Sequence, residues 1–84
     1  MELILYSHDD CPLCDRLEAM IEPHLQRLGA TLIKRNIKTN RDWLRAYRYR
    51  IPVLTLDDRV LLEGRPEPTE VDRVMTSLPS APGP

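Results

Sequence analysis

The stretch Cys11-Pro12-Leu13-Cys14 constrains this chain more than any other. An apolar run, Leu3-Ile4-Leu5-Tyr6, precedes it, and a segment with helical periodicity follows. The cysteines therefore open a helix directly after a strand. A cysteine at a helix N-terminus faces unpaired backbone N–H groups and the positive end of the macrodipole, which favours its thiolate. Pro12 suits the first helical position, where its missing N–H costs nothing. Cys14 falls three residues on, close enough to bond Cys11 without moving the backbone. The spacing makes Cys11 the expected exposed nucleophile and Cys14 the expected buried resolving thiol.

A purely structural disulfide is a poor use of this pair, because the loop it closes is tiny. A reversible redox or metal role in a reducing compartment fits better. At 84 residues the chain makes one small domain. Its net charge of −1 demands neither nucleic acid nor membrane, and no apolar run approaches a membrane span. Met1 leads straight into strand-like sequence without a basic n-region or cleavage site, so a cytoplasmic location is expected. One domain over residues 1–78 and a disordered tail over 79–84 are expected, and the protein is expected to be a monomer.

Along the chain, Leu3 to Tyr6 is short and uniformly apolar, the mark of a central strand. Leu17, Ile21, Leu25 and Leu28 form a helical stripe closed by Gly29, with a kink or a broken hydrogen bond expected at Pro23. Thr31 to Ile37 reads as an edge strand, because Lys34, Arg35 and Asn36 interrupt it. Thr39 or Asn40 can cap a short helix whose inner face carries Trp43, Leu44 and Tyr47. Val53–Leu56 and Val60–Leu62 form a hairpin about Asp57-Asp58, and Val71, Val74, Met75 and Leu78 mark a last helix. The order is β-α-β-α-β-β-α, an α/β fold with a four-stranded mixed sheet.

With these elements in place, the chain resembles the glutaredoxin branch of the thioredoxin-fold superfamily, and most of all the short bacterial glutaredoxin-like proteins. Three features carry the resemblance: Cys11-Pro12-Leu13-Cys14 after a strand, Arg50-Ile51-Pro52-Val53 in place of the cis-proline loop, and Glu63-Gly64 near the usual Gly-Gly turn. The resemblance implies a thioredoxin-like fold with helices on both faces of the sheet. It implies that Cys11 attacks disulfides and that Cys14 resolves the mixed disulfide. Pro12 and Leu13 would support the motif. The Ile51-Pro52 bond would be cis, beside the cysteines, where Ile51 backbone groups could pair with an extended substrate. The family also implies glutathione as a co-substrate, with no organic cofactor permanently bound.

The departures from the family pattern fall mainly on the glutathione side. Leu13 stands where an aromatic residue is usual, His8-Asp9-Asp10 where a basic residue is common, and Arg65 where the second glycine is expected. Asp9 and Asp10 disfavour a Cys11 thiolate, while the helix N-terminus and Arg16 or Arg50 favour it. A thiol less acidic than the usual glutaredoxin nucleophile is expected.

Other residues have plainer readings. The only imidazoles are His8 and His24, and His24 lies about 15 Å along the helix from Cys14. One chain cannot close a Cys2His2 zinc site with them, so no metal is assigned; an iron–sulfur cluster shared by two chains is the alternative metal use. His24 reads as a partly buried residue satisfied by a hydrogen bond. The basic stretch 34–50 reads as the solvated face of a helix rather than a nucleic-acid site. Within it, Lys38, Arg48 or Arg50 could attract the carboxylates of glutathione or of an acidic partner, and Gly64 is a further candidate at the substrate groove.

The expected function is therefore that of a small thiol–disulfide oxidoreductase acting on protein or glutathione mixed disulfides. The alternative is a redox-inert or weakly active binding module that holds an extended peptide beside Ile51-Pro52.

Overall fold

The alternation of Leu3, Ile4, Leu5 and Tyr6 decides the layering of the molecule. In the computed structural model, which describes residues 1–79, they lie on β1 (Glu2–Ser7). Successive side chains of a strand point to opposite faces. Leu3 and Leu5 accordingly enter one apolar cluster, and Ile4 and Tyr6 enter another. β1 is interior to a four-stranded sheet of order β2-β1-β3-β4. It pairs in parallel with β2 (Thr31–Asn36) and antiparallel with β3 (Val53–Leu56), which in turn pairs antiparallel with β4 (Arg59–Glu63).

The larger cluster lies between the sheet and two helices, α1 (Pro12–Leu28) and α3 (Pro68–Thr76). Leu17, Ile21, Leu25 and Leu28 of α1 are all buried there, with Val71 and Met75 of α3. Gly29 ends α1 with φ 64°, a left-handed conformation that glycine adopts without a Cβ penalty. Pro23 does not end the helix. It stands on the exposed face, and the helical carbonyl it leaves without a partner belongs to Ala19, also exposed and open to water. His24 sits at the edge of the stripe with its ring largely covered, bonded through Nε2 to Asp72 of α3 at 3.0 Å and through Nδ1 to Arg27.

The other face is covered by α2 (Arg41–Tyr47), which Asn40 caps by accepting from the N–H groups of Asp42 and Trp43. A 3-10 turn (Ile37–Thr39), itself capped by Asn36, leads into it. Trp43 and Tyr47, one helical turn apart, both pack against the Tyr6 ring. Leu44 does not join them, contrary to the sequence reading: it is exposed at 37%. The contacts of Trp43 and Tyr47 with the Tyr6 ring fix which side of this short helix faces inward, and Leu44 lies about 100° around from Trp43.

Asp57 and Asp58 both adopt positive φ, 50° and 64°, in a two-residue turn between the paired residues Leu56 and Arg59. Left-handed conformation at both positions matches the strand twist of a tight hairpin. The tail assigned to 79–84 lies outside the described residues beyond Pro79.

Candidate functional site

The site forms where β1 ends and β3 begins, since Tyr6 pairs with Val53. Cys11 is the N-cap of α1, with extended backbone (φ −117°, ψ 92°), and Pro12 is the first helical residue. The Cys11 carbonyl accepts from the Asp15 N–H at 3.1 Å, the first bond of the helix. Cys11 Sγ accepts from the Cys14 N–H at 3.1 Å and is disulfide-bonded to Cys14. The two sulfurs are unequal: Cys14 is 4% exposed, whereas Cys11 is only half-buried. Leu13, at 37% exposure, projects beside them.

Across from the cysteine turn, the Ile51-Pro52 peptide bond is cis and Pro52 is fully buried. Gly64 holds this loop in place. Its N–H donates to the carbonyls of both Pro52 (2.9 Å) and Arg50 (3.1 Å), and its own φ is 70°.

Against this geometry, a family model described as the glutaredoxin-like domain (DUF836) matches residues 2–77. The chain belongs to this family. Solved structures agree on the fold of the glutaredoxin-like domain. A structural-genomics target protein from X. campestris has a TM-score of 0.73 at 24% identity, covering 92% of this chain and 99% of that one. A mutant thioredoxin from Halobacterium salinarum NRC-1 has a TM-score of 0.62 at 24% identity, over 99% of this chain and 77% of that one. A malarial protein has a TM-score of 0.59 at 12% identity, over 89% and 92%. The fold is thus thioredoxin-like, and within it Cys11 and Cys14 stand at disulfide distance.

In this glutaredoxin-like domain the charged residues near the site are committed differently from the sequence reading. The Arg50 guanidinium does not stand free for a ligand carboxylate. It donates to Glu63 Oε2 from Nε at 3.0 Å and from Nη2 at 2.6 Å, and lies over the Tyr47 ring. The hydrogen bond to Glu63 pushes the Arg50 pKa further up. Arg16 donates to the Pro66 carbonyl at 3.1 Å and ties α1 to the loop before α3. Of Ile51's two backbone polar groups, the N–H is already donated to the Tyr47 carbonyl, which leaves only the carbonyl for an incoming strand. The acidic loop is braced from β2, where Asn36 donates to Asp9 Oδ1 at 3.3 Å.

Behind the disulfide lies a cavity of about 240 Å³ that reaches Cys14 between β1, β2 and α1. Its walls include Ser7, Asp9, Glu18, Lys34 and Asn36, and a Lys34–Glu18 ion pair of 3.0 Å spans it. Sequence reasoning missed this cavity. The signal for Glu18 was its place one helical turn beyond Cys14; that for Lys34 was its register opposite Leu5, visible only once the strands are paired.

Proposed function

We propose that this domain is a small dithiol thiol–disulfide oxidoreductase. The observation that carries the reading is the asymmetry of the cysteine pair, one sulfur half-buried at a helix N-cap and the other buried one turn along. The Cys14 N–H and the helix N-terminus point at Cys11 Sγ, so a negative charge there gains a charge-assisted hydrogen bond, while Cys14 lacks this support.

In the forward direction, the Cys11 thiolate attacks one sulfur of a substrate disulfide. The other substrate sulfur leaves as a thiolate and takes up a proton from water. The Cys14 thiol then loses its proton and its thiolate attacks Cys11 Sγ. This forms the Cys11–Cys14 disulfide and expels the second substrate thiolate. Two electrons pass from the dithiol to the substrate, and a cellular thiol reductant such as glutathione restores the pair. Glutathione serves as co-substrate and no organic cofactor is resident. Leu13 is the apolar side chain offered to a substrate beside the cysteines, the buried Pro52 sets the course of the facing loop, and the Ile51 carbonyl is the group offered to an extended substrate. Gly64 and Glu63 act behind this loop by fixing Pro52 and Arg50. The domain works as a cytoplasmic monomer.

The test is mass spectrometry after equilibration in graded glutathione buffers, with free thiols trapped by alkylation. A Cys11–Cys14 disulfide that forms at a cytosolic potential supports the reading, and an adduct on Cys11 supports glutathione as co-substrate. Thiols that stay reduced and unmodified across the range refute it. Cys11→Ser should abolish exchange, and Cys14→Ser should trap the mixed disulfide.

A second reading, a binding module that does little redox chemistry, is favoured by one observation: the Arg50 charge is taken up by Glu63. Partner binding retained in the Cys11→Ser/Cys14→Ser double variant would support it.

A further inference from the structure

The exposed side of α2 has no role in the proposed thiol chemistry. Seven of the chain's twelve Lys and Arg residues lie between positions 34 and 50, beside one of its thirteen acids. Of these, Arg35 is stacked on Tyr6 and Trp43, Lys34 is paired with Glu18, and Arg50 with Glu63. Arg41, Arg45 and Arg48 have no carboxylate at ion-pair distance among the described residues. They recur at helical spacing on one face, and Arg41 places a positive charge at the positive end of the helix. Arg45 and Arg48, by contrast, lie at the negative end, so their exposure is compatible with the helix and leaves their charge facing outward.

With Leu44 and Tyr49 the three arginines line a groove of about 410 Å³. Leu44 is 37% exposed, and Tyr49 is 86% exposed with the Arg48 guanidinium over its ring at 4.6 Å. The Arg48-Tyr49 end of the groove lies just before the loop that enters the site. α2 leads through Arg50 to Ile51-Pro52, and Val53 pairs with Tyr6 at the end of β1, from which the chain enters Cys11.

We infer that this groove is the docking surface for an acidic segment, carrying at least one apolar side chain, of the disulfide-bearing protein on which Cys11 acts. The inference rests on the thiol-exchange reading only for the disulfide. Three unpaired guanidinium groups select carboxylates, and Leu44 offers a contact for an apolar side chain between them. Single-stranded nucleic acid would need several aromatic faces on which successive bases stack, but Trp43 and Tyr47 are turned onto Tyr6, which leaves Tyr49, with Arg48 over one face, as a single platform.

The probes are two short fluorescein-labelled peptides that share one disulfide loop and differ in an extension of alternating Glu and Leu or of alternating Lys and Leu. Anisotropy should show the Glu-Leu peptide binding at least about tenfold tighter at low salt, with the preference fading at high salt. Arg41→Glu/Arg45→Glu should remove or invert the preference, and Arg41→Lys/Arg45→Lys should keep most of it. Circular dichroism checks the fold of each variant, and the uncharged Arg41→Gln/Arg45→Gln variant serves if the charge reversal unfolds α2. Equal affinities in the wild type, or a preference unchanged in the variants, overturn the inference. So does an oligothymidylate that binds the groove more tightly than the Glu-Leu peptide, or a dimer in sedimentation that Arg41→Glu/Arg45→Glu dissolves. Selective binding without reduction of the peptide disulfide would uphold the surface and refute the exchange chemistry instead.

Discussion

Replacing Gly64 by alanine separates the backbone requirement of the site from its chemistry. Gly64 has φ 70°, and a Cβ built on it meets nothing within 4 Å, so the cost of alanine is conformational and not steric. Left-handed backbone costs an L-residue about 1–2 kcal/mol. Alanine also narrows the unfolded ensemble, which returns about 0.4–1 kcal/mol. The net loss is roughly 0.5–1.5 kcal/mol, and for a domain of this size that lowers Tm by roughly 3–10 °C.

Gly29, with φ 64° at the end of α1, gives an internal control. Gly29→Ala should lower Tm by a similar amount but leave exchange untouched, because it lies a whole helix away from Cys11. The Gly64 N–H is the clamp on Pro52 and Arg50, so Gly64→Ala should also slow reduction of a peptide disulfide in stopped flow. Gly64→Asn should fall between, since asparagine tolerates the left-handed region better. A melt of Gly64→Ala within about 2 °C of wild type would refute the reasoning, as would asparagine proving no better than alanine.

Asn40→Ala should cost about 1 kcal/mol in chemical denaturation, because two N–H groups at the start of α2 lose their acceptor. Met75→Ala, at a fully buried position between α3 and α1, should cost about 2–5 kcal/mol in the same assay. Asp57→Asn together with Asp58→Gly should raise Tm by a few degrees, since both positions have positive φ in a tight hairpin. Asp9→Asn/Asp10→Asn should speed alkylation of reduced Cys11 at neutral pH, and an unchanged rate would mean that the acidic loop does not act on the sulfur.

Much of this was legible in the chain itself because the informative signals are local. The strand, the Cys11 N-cap, Pro12 at the first helical position, the Gly29 terminator and the Asp57-Asp58 turn each depend on a few neighbouring residues. What was not legible depends on pairing across the sheet. That Arg50 belongs to Glu63 follows from the end of β4 meeting the cis-proline loop, thirteen residues apart in sequence. Arg16 finds a carbonyl fifty residues away. Leu44 was misplaced because a seven-residue helix has too few turns for periodicity to choose a face, and the choice falls to the Tyr6 ring on β1. The cavity behind Cys14 likewise exists only when β2 lies beside β1.

These pairings also bear on how Cys11 would be activated. With Arg50 paired to Glu63, Arg16 tied to the Pro66 carbonyl, and Asp9 and Asp10 two and one residues before Cys11, side-chain charge gives the thiolate at this position little net support. The remaining support is backbone: the N-cap geometry of Cys11, the Cys14 N–H aimed at its sulfur, and seventeen residues of helix behind them. The helix dipole is itself screened by salt, but the part-buried hydrogen bond from the Cys14 N–H acts at contact distance and is screened much less. The acidic loop acts over a longer range and is screened. Added salt should therefore raise the reactivity of Cys11 toward a neutral alkylating agent by weakening the repulsion while leaving the Cys14 N–H hydrogen bond in place. A thiolate sustained by neighbouring cations would respond in the opposite sense, so the sign of the salt effect separates the two modes of activation.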